Sequence, residues 1–269
     1  MGILKNLLNT ALASLGYELI PFGSRVSYTN FLNVVKAYEQ RLNEQDKRIY
    51  PNDTRPKLLS QLQGTPPSEA YFIIQALAKC ESIDGDACEF GVAQGETSAL
   101  IANEISSFNQ KRLHLFDSFE GLPKPSEKDH LKHDIFSLGS MEAYEGTMSC
   151  SENMVRSRLA GISFPQHRYL IHRGFIEDVI NIDDNLPKQV CFAYVDFDFY
   201  NPIKMTLEFL HLRTPTGAII IVDDYDFFSS GAKTAVDEFI NEKNSVKESY
   251  DFVVPDKCYG HFAILTKKV

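Results

Sequence analysis

Two runs of the chain, VCFAYVD at 190–196 and GAIIIVD at 217–223, are apolar almost without interruption, and each stops on an aspartate. Strict alternation would mark a strand with one face in water. An unbroken run marks a strand covered on both faces, as inside a parallel sheet flanked by helices. From about residue 84 onward the surrounding sequence keeps that rhythm. Strands are expected at 86–92, 112–117, 168–172, 190–196 and 217–223, with helices at about 95–107, 149–160, 202–213 and 230–243. Strand–helix alternation implies right-handed crossovers and a doubly wound α/β sheet. Two further strands, 251–255 and 261–266, have only residues 256–260 between them, too few for a crossover helix, so they should pair as an antiparallel hairpin. The expectation is a seven-stranded sheet, mostly parallel, with an antiparallel last strand.

Residues 1–83 read differently. Helical patterns at about 2–16, 28–48 and 68–82 are separated by turn-rich stretches at 51–53 and 64–67, which suggests an N-terminal helical extension packing on a core of residues 84–269. The first pattern carries an apolar stripe, Leu4, Leu7, Leu8, Ala11, Leu12 and Leu15, broken by Asn6, Asn9 and Thr10. It lacks the unbroken apolar run of a signal peptide or a membrane span. Docking onto the core or onto a second subunit is the expectation, which favours a homo-oligomer. The five cysteines are odd in number, widely spaced and without a C-x-x-C pair, as in a protein of the reducing cytoplasm. With 27 Lys+Arg against 36 Asp+Glu, the net charge of −9 offers no general attraction for nucleic acid. One connection is too long for the rhythm: 118–149 starts at a strand's carboxyl end, where doubly wound sheets place ligands, and is expected to act as a lid.

The strand ends carry the chemistry. Glu89, Asp117, Asp196 and Asp223 each finish a strand or stand near its end, so they are expected to face one crevice. In E-F-G-V-A-Q-G-E-T-S (89–98), Gly91 and Gly95 permit a tight turn and close approach of a ligand. Thr97 and Ser98 offer hydroxyls and backbone N–H groups at a helix N-terminus, suited to a carboxylate. Ala93 replaces the second glycine of a dinucleotide fingerprint, and Glu89 is placed for an ammonium group. Asp117 ends the second strand, where an acid accepts from ribose hydroxyls. Together these suit S-adenosylmethionine, with Gly174 and Phe175 placed for its adenine. Y-V-D-F-D-F-Y and I-V-D-D-Y put Asp196, Asp198, Asp223 and Asp224 at neighbouring strand ends without an adjacent Lys or Arg. Carboxylates 4 Å apart repel by roughly 4 kcal/mol at an effective dielectric of 20. Convergence therefore calls for a hard cation, Mg²⁺ first.

These segments, with F-D-S-F-E-G-L-P (116–123) and R-G-F-I-E-D (173–178), in this order resemble the macrocin-type O-methyltransferase family, which methylates sugar hydroxyls in antibiotic biosynthesis. The likeness spans about residues 84–267 and implies a class I methyltransferase fold. It implies that Glu89, Gly91, Asp117, Ser118 and Phe175 line the cofactor site and that Asp196, Asp223 and Asp224 hold Mg²⁺; Asp196 is expected to bind the cofactor as well. Distantly related catechol-type enzymes place a lysine base three residues after the first metal aspartate. Here that position is Phe199, which leaves Asp198 as the nearest general base. His130, His133 and His172 stand in reserve. The acceptor implied is a small molecule with a sugar hydroxyl, well held as a vicinal diol; Tyr144, Tyr200 and Tyr225 are candidates for stacking on it or for packing.

Other readings cover less of the sequence. A nucleotide-sugar glycosyltransferase would use Asp196 and Asp198 but leaves Glu89, Asp223 and Asp224 unexplained. The Tyr200 to Lys204 spacing of short-chain dehydrogenases lacks a glycine-rich dinucleotide turn to serve. A non-catalytic adenosine-ligand binder, or a scaffold assembled through the N-terminal helices, needs none of the paired aspartates.

Overall fold

The computed structural model describes residue 49 and residues 52–108, 111–182 and 184–268; the helices expected at 2–16 and 28–48 lie outside these. The chain divides into two compact units, Met1–Lys57 and Leu58–Val269, and the sheet and the site both belong to the second. Helix α1 (Pro67–Cys80) opens with proline in its first turn, where the missing N–H costs nothing. Then follow β1 (Asp86–Phe90), α2 (Glu96–Ile105), β2 (Leu113–Asp117), α3 (Glu152–Gly161), β3 (Tyr169–Arg173) and α4 (Ile176–Ile182). The chain continues through β4 (Val190–Val195), α5 (Tyr200–His211), β5 (Ile219–Val222), α6 (Ser230–Val246), β6 (Tyr250–Val253) and β7 (Ala263–Lys267).

The seven strands lie in the order β3-β2-β1-β4-β5-β7-β6. β1 to β5 are parallel, and β7 runs antiparallel between β5 and β6, as the short 256–260 connection requires. Side chains along each strand alternate between two helix layers. Phe192 and Tyr194 of β4 join Ile73 and Leu77 of α1, Ile101 of α2 and Leu159 of α3 on one face. Ala193 and Val195 join Ile203 and Leu207 of α5 and Val236 and Phe239 of α6 on the other. Both faces of β4 are buried, the physical reason its sequence does not alternate.

Helix α1 lies inside the compact unit that begins at Leu58, where it buries its apolar stripe on the sheet. Helix α4 was not expected: at seven residues it buries only Ile176 and Val179, too short a stripe to announce a period of 3.6. The 118–149 insertion contains only a single 3₁₀ turn, Glu142–Tyr144, yet it is well anchored. Leu122, Met141 and Tyr144 form a small cluster with Phe199 and Phe228 of the core unit.

Candidate active site

β1 and β4 are adjacent, and the chain winds outward from them in opposite directions, so the crevice above their carboxyl ends is the expected ligand position. A cavity of about 400 Å³ lies there. Gly91, Asp117, Ser118, Gly174 and Phe175 line it from β1, β2 and β3, and Asp196, Asp198, Asp223 and Asp224 line it from β4 and β5. The insertion roofs it with Leu122, Pro123, Ile135 and Met148. The cavity thus gathers nine of the residues singled out from sequence.

Glu89, Gly95, Thr97 and Ser98 do not line it. Strand alternation turns Glu89 toward the α2 layer, where it is fully buried and accepts a short hydrogen bond from the Ser98 hydroxyl. Burial pushes its carboxyl well above the ordinary range, only partly countered by Ser98. Gly95 caps α2 at φ +82° against Val155, and Thr97 reaches Thr65 at 3.2 Å between hydroxyl oxygens.

The requirement for Gly91 comes from the chain itself. At φ +85°, a Cβ there would stand 1.8 Å from the Asp196 carbonyl oxygen. Donation from Asp196 N to Phe90 O at 2.7 Å holds the β1 and β4 ends that close. Asp117 braces the rim: its Oδ2 accepts from the N–H groups of Val92 and Ala93 at 2.7 and 3.0 Å, and its Oδ1 from Phe119 N–H at 2.6 Å.

The opposite wall is a cluster of acids. Burial, then the charge of Asp223, raises Asp196 and Asp224 well above the carboxylate range. Burial also raises Asp223, against a 2.5 Å hydrogen bond from the Tyr194 hydroxyl. Burial raises Asp198 to about 7, and the carboxyl of Asp224 beside it partly offsets the rise. Asp198 and Asp224 sit at φ +62° and +53°, left-handed conformations that Asp tolerates better than most residues. Nearby Lys132 and Lys257 pair with Asp226 instead, and among the described residues no lysine or arginine pairs with the four aspartates.

Sequence reasoning missed three contributors. Glu69 of α1 lies fully buried beneath this wall, 3.2 Å from the Tyr194 hydroxyl, and burial followed by the charge of Asp223 raises its carboxyl. An acid among the apolar residues of a helix was its only signal. Tyr194 looked like one more apolar strand residue. Asp129 anchors the insertion: Oδ1 accepts from Tyr200 N–H at 2.8 Å and Ser229 Oγ at 3.1 Å, at the N-termini of α5 and α6. The tyrosines offered for stacking serve packing instead. Tyr144 is fully buried, Tyr200 donates to Glu238, and Tyr225 donates to Asp237. His172 is buried on β3 beside His114, with 2.9 Å between ring nitrogens, and does not line the cavity.

The sequence model of the macrocin O-methyltransferases (TylF) matches residues 25–253. The chain belongs to that family. It is accordingly an S-adenosylmethionine-dependent O-methyltransferase. No curated protein sequence matches it significantly. Among solved structures, the O-methyltransferase NovP superposes with a TM-score of 0.63 at 19% identity, over 76% of this chain and 81% of that one. CalS11, a calicheamicin methyltransferase, gives 0.58 at 17% identity over 92% and 94%. An O-methyltransferase from Klebsiella pneumoniae gives 0.53 at 12% over 87% and 97%. At these identities the likeness speaks for the class I methyltransferase fold. Among the described residues, no helix is long and apolar enough to cross a membrane.

Proposed function

We propose that this macrocin-family enzyme methylates a sugar hydroxyl of a glycosylated or nucleotide-linked small molecule with help from a divalent cation, Mg²⁺ first. The observation that carries the reading is one cavity shared by Asp117 and Phe175 on one side and, on the other, four aspartates that no lysine or arginine among the described residues pairs with. Of the related structures, one is described as a TDP-rhamnose 3′-O-methyltransferase, which favours a sugar acceptor.

Asp117, Ser118, Gly174 and Phe175 would hold the adenosine half of S-adenosylmethionine, which supplies an electrophilic sulfonium methyl. Glu89 stands behind the first turn, supporting it through Ser98. Asp196, Asp223 and Asp224 would hold the cation, which supplies Lewis acidity toward the acceptor oxygens. The donor set fits a hard ion, being all carboxylate oxygen and buried without counter-charge. Among the described residues no group of three or more acids, histidines or cysteines stands at metal-ligand spacing. Asp198 accepts the hydroxyl proton as the new O–CH₃ bond forms and the S–CH₃ bond breaks. In the cation-free site burial raises its carboxyl to about 7; a bound cation would lower it, so the acidity that the cation would lend the acceptor hydroxyl shares the activation. The 118–149 insertion excludes water above the reacting groups.

Transfer of labelled methyl from S-adenosylmethionine to a panel of nucleotide sugars and glycosides, with Mg²⁺ or with excess EDTA, tests this. Product formation only with Mg²⁺, lost in Asp223→Asn, is expected. Full turnover in EDTA would remove the cation from the scheme.

A further inference from the structure

The Tyr194 hydroxyl sits at a crossing of contacts below the acidic wall. It donates to Asp223 Oδ2 at 2.5 Å and lies 3.2 Å from both Glu69 Oε1 and Thr65 Oγ1. The other Asp223 oxygen, Oδ1, accepts from Asp224 N–H at 2.7 Å. Each oxygen of Asp223 thus accepts one hydrogen bond, which restrains the plane of the carboxylate, and the residue lines the cavity. Glu69 is the deepest member of this arrangement. It has no exposed surface, its Oε2 has no hydrogen-bond partner, and Gly260 closes over it so tightly that a Cβ there would stand 2.5 Å from that oxygen. Packing alone gives no reason for a carboxyl at such a place, since an apolar side chain would fill it without the desolvation cost.

We infer that Glu69, acting through the Tyr194 hydroxyl, is a positioning residue that sets how tightly Asp223 and its neighbours hold a divalent cation; the inference rests on the cation-assisted reading above. Glu69 restrains the phenol, the phenol restrains Asp223, and Asp223 faces the ion. The chain Thr97–Thr65–Tyr194–Asp223 also ties the N-terminus of α2 to this wall, so a segment outside the strand ends helps to build the site. Partners placed behind a metal ligand typically change affinity 10–100-fold when removed, because the ligand regains rotational freedom.

Mn²⁺ titrated into the full chain, with free Mn²⁺ read by electron paramagnetic resonance, provides the test. Tyr194→Phe and Glu69→Ala should weaken Mn²⁺ binding about 10-fold or more. Glu69→Gln, which keeps a polar group beside the phenol, should stay close to wild type. S-adenosylmethionine affinity should be unchanged in all three, since Asp117 and Phe175 lie on the other wall. Wild-type Mn²⁺ affinity in both Tyr194→Phe and Glu69→Ala would overturn the inference, as would equal loss of cofactor and Mn²⁺ binding in the near-isosteric Tyr194→Phe. Wild-type protein that binds no Mn²⁺ would instead overturn the cation-assisted reading itself, and the inference with it.

Discussion

Replacing Asp198 by Asn should make the cation-free protein more stable and the enzyme nearly inactive. Burial raises Asp198 from an ordinary 3.8 to about 7, so the folded chain retains a proton that the unfolded chain releases across that window. Where the native state binds more protons, stability falls as pH rises. The loss begins near pH 4 and is complete above about pH 7. Three pKa units at 1.36 kcal/mol each amount to about 4 kcal/mol at pH 8. Asn carries no charge, keeps a polar contact for Asp224, and is as tolerant as Asp of the φ +62° that the position imposes. It should recover most of that loss. At about 2–4 °C per kcal/mol for a chain of this size, the midpoint should rise on the order of 10 °C. Thermal unfolding by circular dichroism in EDTA, from pH 5 to pH 8.5, is the assay. The gain should grow with pH and shrink on adding Mg²⁺, because a bound cation relieves the same repulsion in the wild type. An Asp198→Asn melting point at or below that of the wild type at pH 8 would refute the desolvation account of this wall.

Three further outcomes follow from the geometry. The acid limb of the kcat/KM profile should rise about tenfold per pH unit with a midpoint at or below about 7, lower with a tighter cation, since Asp198 must lose its proton to act; the same limb persisting in Asp198→Asn would assign it to another group. Gly91→Ala should yield little folded protein, because its Cβ would stand 1.8 Å from the Asp196 carbonyl oxygen; a soluble variant with a wild-type melting point contradicts the close approach of β1 and β4. Asp129→Ala removes the acceptor shared by Tyr200 N–H and the Ser229 and Ser126 hydroxyls, and should cost about 1–3 kcal/mol in denaturant titration while raising KM for the acceptor; unchanged KM with that stability loss would mean that the insertion does not shape the acceptor site.

The sheet was legible in the sequence because its cause is local. VCFAYV and GAIIIV are apolar at every position since helices cover both faces, and the brevity of 256–260 forces the antiparallel ending. The acids of the crevice were legible for a related reason. Asp117, Asp196, Asp198, Asp223 and Asp224 follow strands whose direction is shared, so the end of one strand predicts the location of the next. Glu89 shows the limit: it lies inside β1, and there a shift of one residue decides between the helix layer and the neighbouring face.

What the sequence by itself determined is therefore the architecture and the edge at which chemistry collects, both of which follow from hydrophobic period and strand direction. Only the tertiary structure decided which side chains share a surface. It sent Glu89 and Ser98 behind the turn that follows β1, made Gly91 indispensable to the chain's own approach at Asp196, and brought Glu69 beneath Asp223 across 154 residues of sequence separation. Those pairings depend on how α1 packs on a sheet that the intervening chain must first complete, and no local pattern encodes that.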